Sequence, residues 1–536
     1  MCLWIYKRLL TCLLLFIVFV PVNATASILK NQTAIDEFYL SQDGEPLWIK
    51  KTKLNRSGKE LLKVLELSWQ NGLNPNTYHV NTLSNILDKR GRFNKNNGLE
   101  IEVLLTDGYI NYVRDLSGMR INARDMGLRR NHWRQKISVI EALSYIDVNK
   151  KNMAEFLSLR EPQTNTYQRL KSELIKLTEN EGRGYKSNLT FRVLARPMRS
   201  HNEIPKLRDY FDLDKVEQQN RYTYDAKLVK AVMGFQAEQG LKPDGIIGKQ
   251  TLRALNYTNL DKIKQIIVNM ERLRWVDDVK PERFVIVNIP SATLWAVDNG
   301  KVRFEMPVIV GRKKRPTNSF ITKIHGVRFN PTWTVPKTIK AEDILPQLQS
   351  DPNYLADKGM ELFDGYGSNA PTLDPFAIDW NNLDEAELHS LRMVQVPGKH
   401  NPLGSIRILM PNEHNIYLHD TNNKGLFSRA DRAKSSGCIR MKHPENIAMF
   451  ALEKRQHWNK KAMLDVLEEG STKDIYTPEK LPVYLMYYTV WLGGKNRIIY
   501  GYDVYNHDST LLQLLEKLDG FYIIGDNEDR IAQFVD

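Results

Sequence analysis

The chain has 536 residues, of which 42% are hydrophobic, 10% aromatic and 26% charged, and it carries a formal net charge of +13 at pH 7. This length and composition describe a globular chain of several domains with ample core and exclude a disordered one. The basic residues are dispersed rather than gathered into a stripe with aromatics, so nucleic acid is not an expected partner. An anionic wall polymer or membrane surface suits the charge better.

In chain order, residues 1–26 read as an export signal. Lys7 and Arg8 precede the apolar run Leu9 to Val20, and Ala24-Thr25-Ala26 offers a small-residue cleavage site. The run falls short of the ~20 apolar residues that a spanning helix needs, which favours cleavage after Ala26 over an uncleaved inner-membrane anchor. Cleavage would remove Cys2 and Cys12 and leave Cys438 as the one thiol, with no partner for a bridge in an oxidising compartment.

Residues 27–219 are expected to form a helical scaffold. Ser57 to Glu60 reads as a capping box, followed by Leu61, Val64 and Leu65, with Gly72 and Pro75 as stop signals. A second helix is expected from Ile101 to Leu116, where Leu104, Leu105, Tyr109, Tyr112 and Val113 recur at helical spacing. Residues 220–258 read as two short amphipathic helices around a tight turn: Lys227 to Glu238, ended by Gly240, then Asp244-Gly245, then Gly248 to Leu255. With Phe235-Gln236 upstream of Asp244-Gly245-Ile246-Ile247-Gly248, this segment resembles the peptidoglycan-binding type 1 module.

From Phe284 the period changes to that of strands. Phe284 to Ile289, Thr293 to Val297 and Val302 to Val310 read as strands, the last two joined by Asp298-Asn299-Gly300, a strong hairpin signal. Further strands are expected at Gly326–Phe329, Ser405–Met410, Asn415–His419 and Val483–Trp491, with a helix opened by Pro444. The fold class is α+β and multidomain, its β-rich part a sandwich or partly closed barrel. Lys337 to Val396 interrupts these strands with eleven acidic residues against four basic ones. It reads as an inserted lid with helices at Glu342–Leu348 and Asp384–Arg392, joined by a loop around Gly365 to Pro375.

Cys438 lies nineteen residues after His419, and a thiol with a nearby imidazole makes a candidate nucleophile and base. The small Ser435-Ser436-Gly437 run suits a tight turn that would aim the Gly437 and Cys438 amides at a reacting carbonyl as oxyanion donors. Lys424, Arg429, Arg432, Lys434 and Arg440 would lower the thiol pKa or hold substrate carboxylates. The backbone carbonyl of Asp420 is a better candidate than its carboxylate to orient His419, because the next side chain on a strand faces away. Zinc at His414, His419 and His443 is disfavoured, since structural zinc sites usually pair two or more thiolates. The residues alone reach a cysteine acyltransferase or hydrolase acting on a wall polymer.

His419-Asp420-Thr421 followed by Ser435-Ser436-Gly437-Cys438-Ile439-Arg440 resembles the catalytic motif of the L,D-transpeptidases with a YkuD-type domain. Many members have His before Gly-Cys, where Ser436 stands here, and Gly after the catalytic His, where Asp420 stands. Asn330 to Pro336, Pro397-Gly398, Leu403-Gly404 and Tyr417 to Thr421 resemble the large periplasmic branch. The resemblance implies a catalytic domain at 265–336 and 397–500, a capping lid at 337–396 and a tail at 501–536. It implies attack by Cys438 on the diaminopimelate–D-alanine bond of a tetrapeptide stem and a 3-3 cross-link. Trimming by an L,D-carboxypeptidase or endopeptidase, and non-catalytic murein binding, remain open. Implied substrate contacts are Arg440, Ser436, Ser435, Trp333, Tyr417, Thr421 and Arg432; no cofactor is implied. Implied partners are peptidoglycan stem peptides and sacculus, murein synthases, and carbapenems as covalent inhibitors.

Overall fold

The structure, a computed structural model, describes residues 29–146, 152–179, 189–190, 195–214, 217–277 and 280–520. The expected export signal lies outside these residues, as does the end of the chain after Gly520. Among the described residues no helix is long and apolar enough to cross a membrane. The chain forms two compact units.

The first unit takes residues up to Arg120, residues 134–163 and those from Glu516. It is built on the helix Gly98–Ser117, in which Leu104, Leu105, Tyr109, Tyr112 and Val113 are buried, as their spacing predicts. The helix also buries acids. Glu102 accepts from the Trp48 amide (3.0 Å) and the Tyr39 hydroxyl (2.8 Å), and Asp107 meets His79 at 2.7 Å. The helix Arg56–Glu66 is capped by Asn55, whose side chain accepts from the Gly58 amide. The expected Ser57–Glu60 box is therefore displaced: Ser57 lies inside the first turn, and Glu60 pairs with Arg56 instead.

The second unit holds residues 121–133 and 164–515. Asp225 caps the helix Ala226–Glu238 through the Leu228 amide, Gly240 and Gly245 adopt positive φ, and Lys249–Leu255 forms the second helix. Gln236 is buried and knits the turn together. Its amide nitrogen donates to Asp244 Oδ1, the Ile246 carbonyl and Thr251 Oγ1, while its oxygen accepts from the Gly245 amide at 2.8 Å. These bonds tie Gln236 to the Asp244–Gly248 turn and the start of the second helix.

The β-rich part has nine strands: β1 (Arg283–Asn288), β2 (Thr293–Asp298), β3 (Lys301–Gly311), β4 (Phe320–Phe329), β5 (Ile406–Leu409), β6 (Leu418–His419), β7 (Ala433–Ser435), β8 (Ile439–Met441) and β9 (Lys473–Met486). Their order is β7-β3-β8-β6-β5-β4-β9-β1-β2, and β2 also pairs with β3, so the pairings run full circle. Eight strands close in this way, and β7, paired with β3 alone, is left at an edge. Asn299 and Gly300 both have positive φ, as the tight β2–β3 hairpin requires. β9 starts ten residues before the strand expected at Val483–Trp491 and ends at Met486; a register shift between Tyr476 and Leu481 passes Pro478, which disguised its start.

The insertion has a small sheet of its own, Trp333–Thr334, Leu391–Gln395 and Met360–Asp364, over a core that includes Trp333, Val335, Leu348, Trp380 and Met393. Its helical run, Lys337–Ser350, contains a π-helical stretch at Lys340–Ile344. The second expected helix stops at Ser390, and Leu391–Gln395 is a strand. Tyr417 packs against both this core and that of the main sheet.

Candidate active site

Strand register sets the site. β6 and β8 run parallel with Leu418 beside Ile439 and His419 beside Arg440, and the Ile439 amide donates to the Tyr417 carbonyl at 3.0 Å. Side chains alternate across a strand, so Leu418 and Ile439 enter the hydrophobic core while Tyr417, His419, Cys438 and Arg440 share the other face. Cys438 and His419 are diagonal neighbours in this register, with no hydrogen bond between them among the described residues. Antiparallel pairing of β5 adds Arg407 beside His419. The Arg407 guanidinium lies 4.2 Å from the Tyr417 ring centre, and the Tyr417 and His419 rings meet edge to face at 5.6 Å.

The turn before Cys438 is gripped at three successive residues by one loop. The Arg312 amide donates to the Ser435 carbonyl (2.9 Å), Arg315 Nη1 to Ser436 Oγ (3.1 Å) and Thr317 Oγ1 to the Gly437 carbonyl (2.6 Å). The buried Ser435 hydroxyl donates to the Cys438 carbonyl at 2.6 Å. Gly437 has a φ of 114°, a left-handed conformation that glycine tolerates best. Its amide, expected to face a reacting carbonyl, donates instead to Ser435 Oγ at 3.2 Å.

Burial raises the pKa of the half-buried Cys438 thiol; the Tyr417 backbone and hydroxyl, then Arg407 and Arg440, only partly offset this. The expected depression is thus reversed, because desolvation of the thiolate outweighs the positive charge. Most of the basic residues expected around the thiol are occupied elsewhere. Lys424 pairs with Asp420, Lys434 with Asp431 at 2.5 Å, Arg432 donates to the Ser291 carbonyl at 2.8 Å, and Arg429 is exposed. Cys438 Sγ itself lies 3.6 Å from the Asn415 carbonyl. His419 is buried, and burial, reinforced by the Arg440 charge, lowers its pKa to about 3. The resting pair is therefore a neutral thiol and a neutral imidazole.

Nδ1 of His419 has no hydrogen-bond partner among the described residues, although the Asp420 backbone lies close enough to favour the charged imidazole. The Asp420 carboxylate faces away, accepting from the Ser405 amide (3.0 Å) and hydroxyl (3.1 Å) and from Lys424. Gly404 accommodates it: a Cβ there would lie 2.2 Å from Asp420 Oδ2. Trp333 is buried in the core of the insertion, and Thr421 is buried with its hydroxyl accepting from the Asn423 amide at 3.1 Å.

Sequence reasoning passed over Arg407, Arg315 and Thr317. Arg407 had a signal, since it alternates with the core residues Ile406 and Ile408 and so had to face the His419 side. The other two lie far away in sequence and had none. Among the described residues, the group with metal-ligand spacing is His132, Glu413 and His414, within 4.8 Å of one another and without Cys438 or His419. Arg129 already holds Glu413 at 3.0 Å, placing a cation where a metal would need a free carboxylate.

Residues 282–458 match the family described as the L,D-transpeptidase catalytic domain. That stretch is thus similar to an L,D-transpeptidase catalytic domain. Residues 33–174 match the scaffold domain family and residues 210–255 the family described as "Putative peptidoglycan binding domain". A Haemophilus influenzae protein named "Putative L,D-transpeptidase" is 35% identical over 244 residues, 45% of this chain and 48% of that protein. The chain thus spans about half the length of this curated relative. The solved L,D-transpeptidase from Mycobacterium smegmatis is 13% identical, covering 38% of this chain and 58% of that one, with a TM-score of 0.20. That from Xylanimonas cellulosilytica is 13% identical, covering 56% and 100%, with a TM-score of 0.18. Overlaps this loose carry no weight for the transpeptidase domain, whose fold rests on its own strand register.

Proposed function

We propose that this chain is a periplasmic L,D-transpeptidase that forms 3-3 cross-links in peptidoglycan, with Cys438 as nucleophile and His419 as base. The observation that supports the reading most is the shared face: a thiol, a buried neutral imidazole, a tyrosine and two arginines, inside a domain matched to this family. Neutral His419 takes the Cys438 proton as sulfur attacks the carbonyl between diaminopimelate and the terminal D-alanine of a stem. Half-buried Arg440 and Arg407, with the Cys438 amide, stabilise the charge that develops on sulfur and the carbonyl oxygen. Collapse breaks the C–N bond, His419 returns the proton to the departing amine, and D-alanine leaves behind a thioester. The side-chain amine of a second stem then attacks the thioester and gives its proton to His419. The new amide forms, and sulfur leaves to regain its proton.

Muropeptide mass spectrometry after incubation of sacculi with the purified chain tests this. Unsubstituted protein is expected to release D-alanine and yield 3-3 dimers. Cys438→Ala should yield neither, and His419→Ala should fall by several powers of ten. Cross-links made by Cys438→Ala would refute the mechanism.

A further inference from the structure

Of the three grips on the turn before Cys438, the middle one differs in kind. The grips on Ser435 and Gly437 end on main-chain carbonyls, but Ser436 is held by its side chain, and the group holding it is itself held by the insertion. Arg315 Nη1 lies 2.6 Å from Asp343 Oδ2 and 3.1 Å from Ser436 Oγ, while Nη2 meets Glu342. Arg315 is only 10% exposed at its side chain, whereas Glu342 and Asp343 are 60% and 40% exposed. The same Asp343 also lies 3.7 Å from Arg312, whose amide grips Ser435. One guanidinium thus spans two acids of the insertion and the hydroxyl directly before the Gly-Cys pair.

The acids sit on the π-helical stretch Lys340–Ile344, a geometry that often marks functional positions. The first residue of that stretch is anchored from the other side. Lys340 is fully buried, and its ammonium donates to the Leu391 carbonyl within the insertion's own sheet; burial lowers its pKa to about 8. The stretch is therefore tied inward through Lys340 and outward through Glu342 and Asp343, so a shift of the insertion must pull on Arg315.

We infer that Arg315 is a positioning residue that latches the acidic insertion to the Ser436 turn and so sets the placement of Cys438 for attack. The inference rests on the reading of Cys438 as nucleophile. Arginine is needed because only a planar fork serves two carboxylates and a hydroxyl at once; lysine would keep the charge and lose the geometry. A displacement of about 1 Å at a reacting group can cost on the order of 100-fold in rate, so the latch should act on turnover more than on substrate affinity.

The test uses the full chain with a soluble tetrapeptide stem, and alkylation of Cys438 by iodoacetamide read by peptide mass. Arg315→Ala is expected to lower kcat by about 10–100-fold with KM within threefold, and to speed alkylation, because a loosened turn exposes a half-buried thiol. The Glu342→Gln/Asp343→Asn double variant should move both readouts the same way, although neither residue touches the turn. Ser436→Ala should match Arg315→Ala and add nothing to it, and Arg315→Lys should restore only part of the loss. If Arg315→Ala fails to fold, the acid double variant, altered only at exposed side chains, decides the matter. Unchanged kcat and alkylation in that variant would overturn the latch, as would additive losses for Ser436→Ala and Arg315→Ala. Alkylation reads the turn without any transpeptidation, so a chain that alkylates as expected yet releases no D-alanine refutes the proposed function while leaving the latch standing.

Discussion

Gly404 and Asp420 should be energetically coupled, and the coupling should reach the candidate base. Gly404 has a φ of 61°, and a Cβ built on it would stand 2.2 Å from Asp420 Oδ2, 2.4 Å from Cγ and 2.6 Å from Cβ. In Gly404→Ala the left-handed backbone costs about 1 kcal/mol. The carboxylate must also leave the Ser405 amide and hydroxyl, bonds to a charged group whose loss costs about 2–3 kcal/mol. Asp420→Gly loses the same bonds, and its exposed Lys424 partner adds little. With no carboxylate to strike, Gly404→Ala in the Asp420→Gly background should cost only the backbone strain. The double variant is thus expected to be about 2–3 kcal/mol more stable than the sum of the single losses. Denaturant unfolding of the four proteins measures the cycle. Gly359→Ala, also at positive φ (63°) but with no neighbour nearer than 3.7 Å, is the control for strain alone. Because Asp420 adjoins His419, turnover should fall in Gly404→Ala far more than in Gly359→Ala. Additive unfolding energies, or equal turnover in the two alanine variants, would refute the argument.

The folded His419 value of about 3 lies below the ordinary imidazole range, so the unfolded chain binds the extra proton first as pH falls. The stabilisation is complete above about pH 6.5 and drains away toward pH 3; a two-unit descent from 6.5 is worth about 2–3 kcal/mol. His419→Gln should therefore lose less stability between pH 7 and 4.5 than the unsubstituted chain, and identical slopes would rule this out. In the peptidoglycan-binding segment, Gln236→Leu strands the Gly245 amide at about 1–3 kcal/mol, while the Ile246 carbonyl keeps the Gly248 amide and the Thr251 hydroxyl. Retention on sacculi should drop while turnover of soluble stems stays within twofold; unchanged retention would detach this segment from wall binding. A carbapenem should add one drug mass to the chain and none to Cys438→Ala. Its rate should still be climbing above neutral pH, since burial holds the thiol pKa up, and a rate already flat at pH 7 would contradict that burial.

What was legible in the chain was whatever depends on neighbours in sequence. Asn299-Gly300 announces a hairpin because its backbone geometry is local, and the Gln236 motif announces its turn because every partner lies within fifteen residues. Cys438 and His419 stood out as chemistry, and strand alternation alone turned the Asp420 carboxylate away from the imidazole, as found. The thiol's charge environment was misread for the opposite reason. Five cations close in sequence promised a depressed pKa, yet packing sends all but Arg440 to other partners or to solvent, brings in Arg407 from β5, and buries the sulfur. Desolvation depends on what covers a group, and no window of sequence records that.

The insertion shows the same division. Its acidity was plain in composition, and that acidity has a structural use: Glu342 and Asp343 engage Arg315. Its boundary was less plain, because its core includes Trp333, Val335 and Leu403, which lie outside residues 337–396. Tyr417 belongs to both that core and the main sheet, and its hydroxyl bears on Cys438. The insertion therefore touches the surroundings of the Cys438 sulfur by two routes: an apolar one through Tyr417 and an ionic one through Arg315 and Ser436. Salt weakens exposed ion pairs and leaves apolar packing largely intact. Added salt should thus erode the contribution of the ionic route while Tyr417 keeps its place.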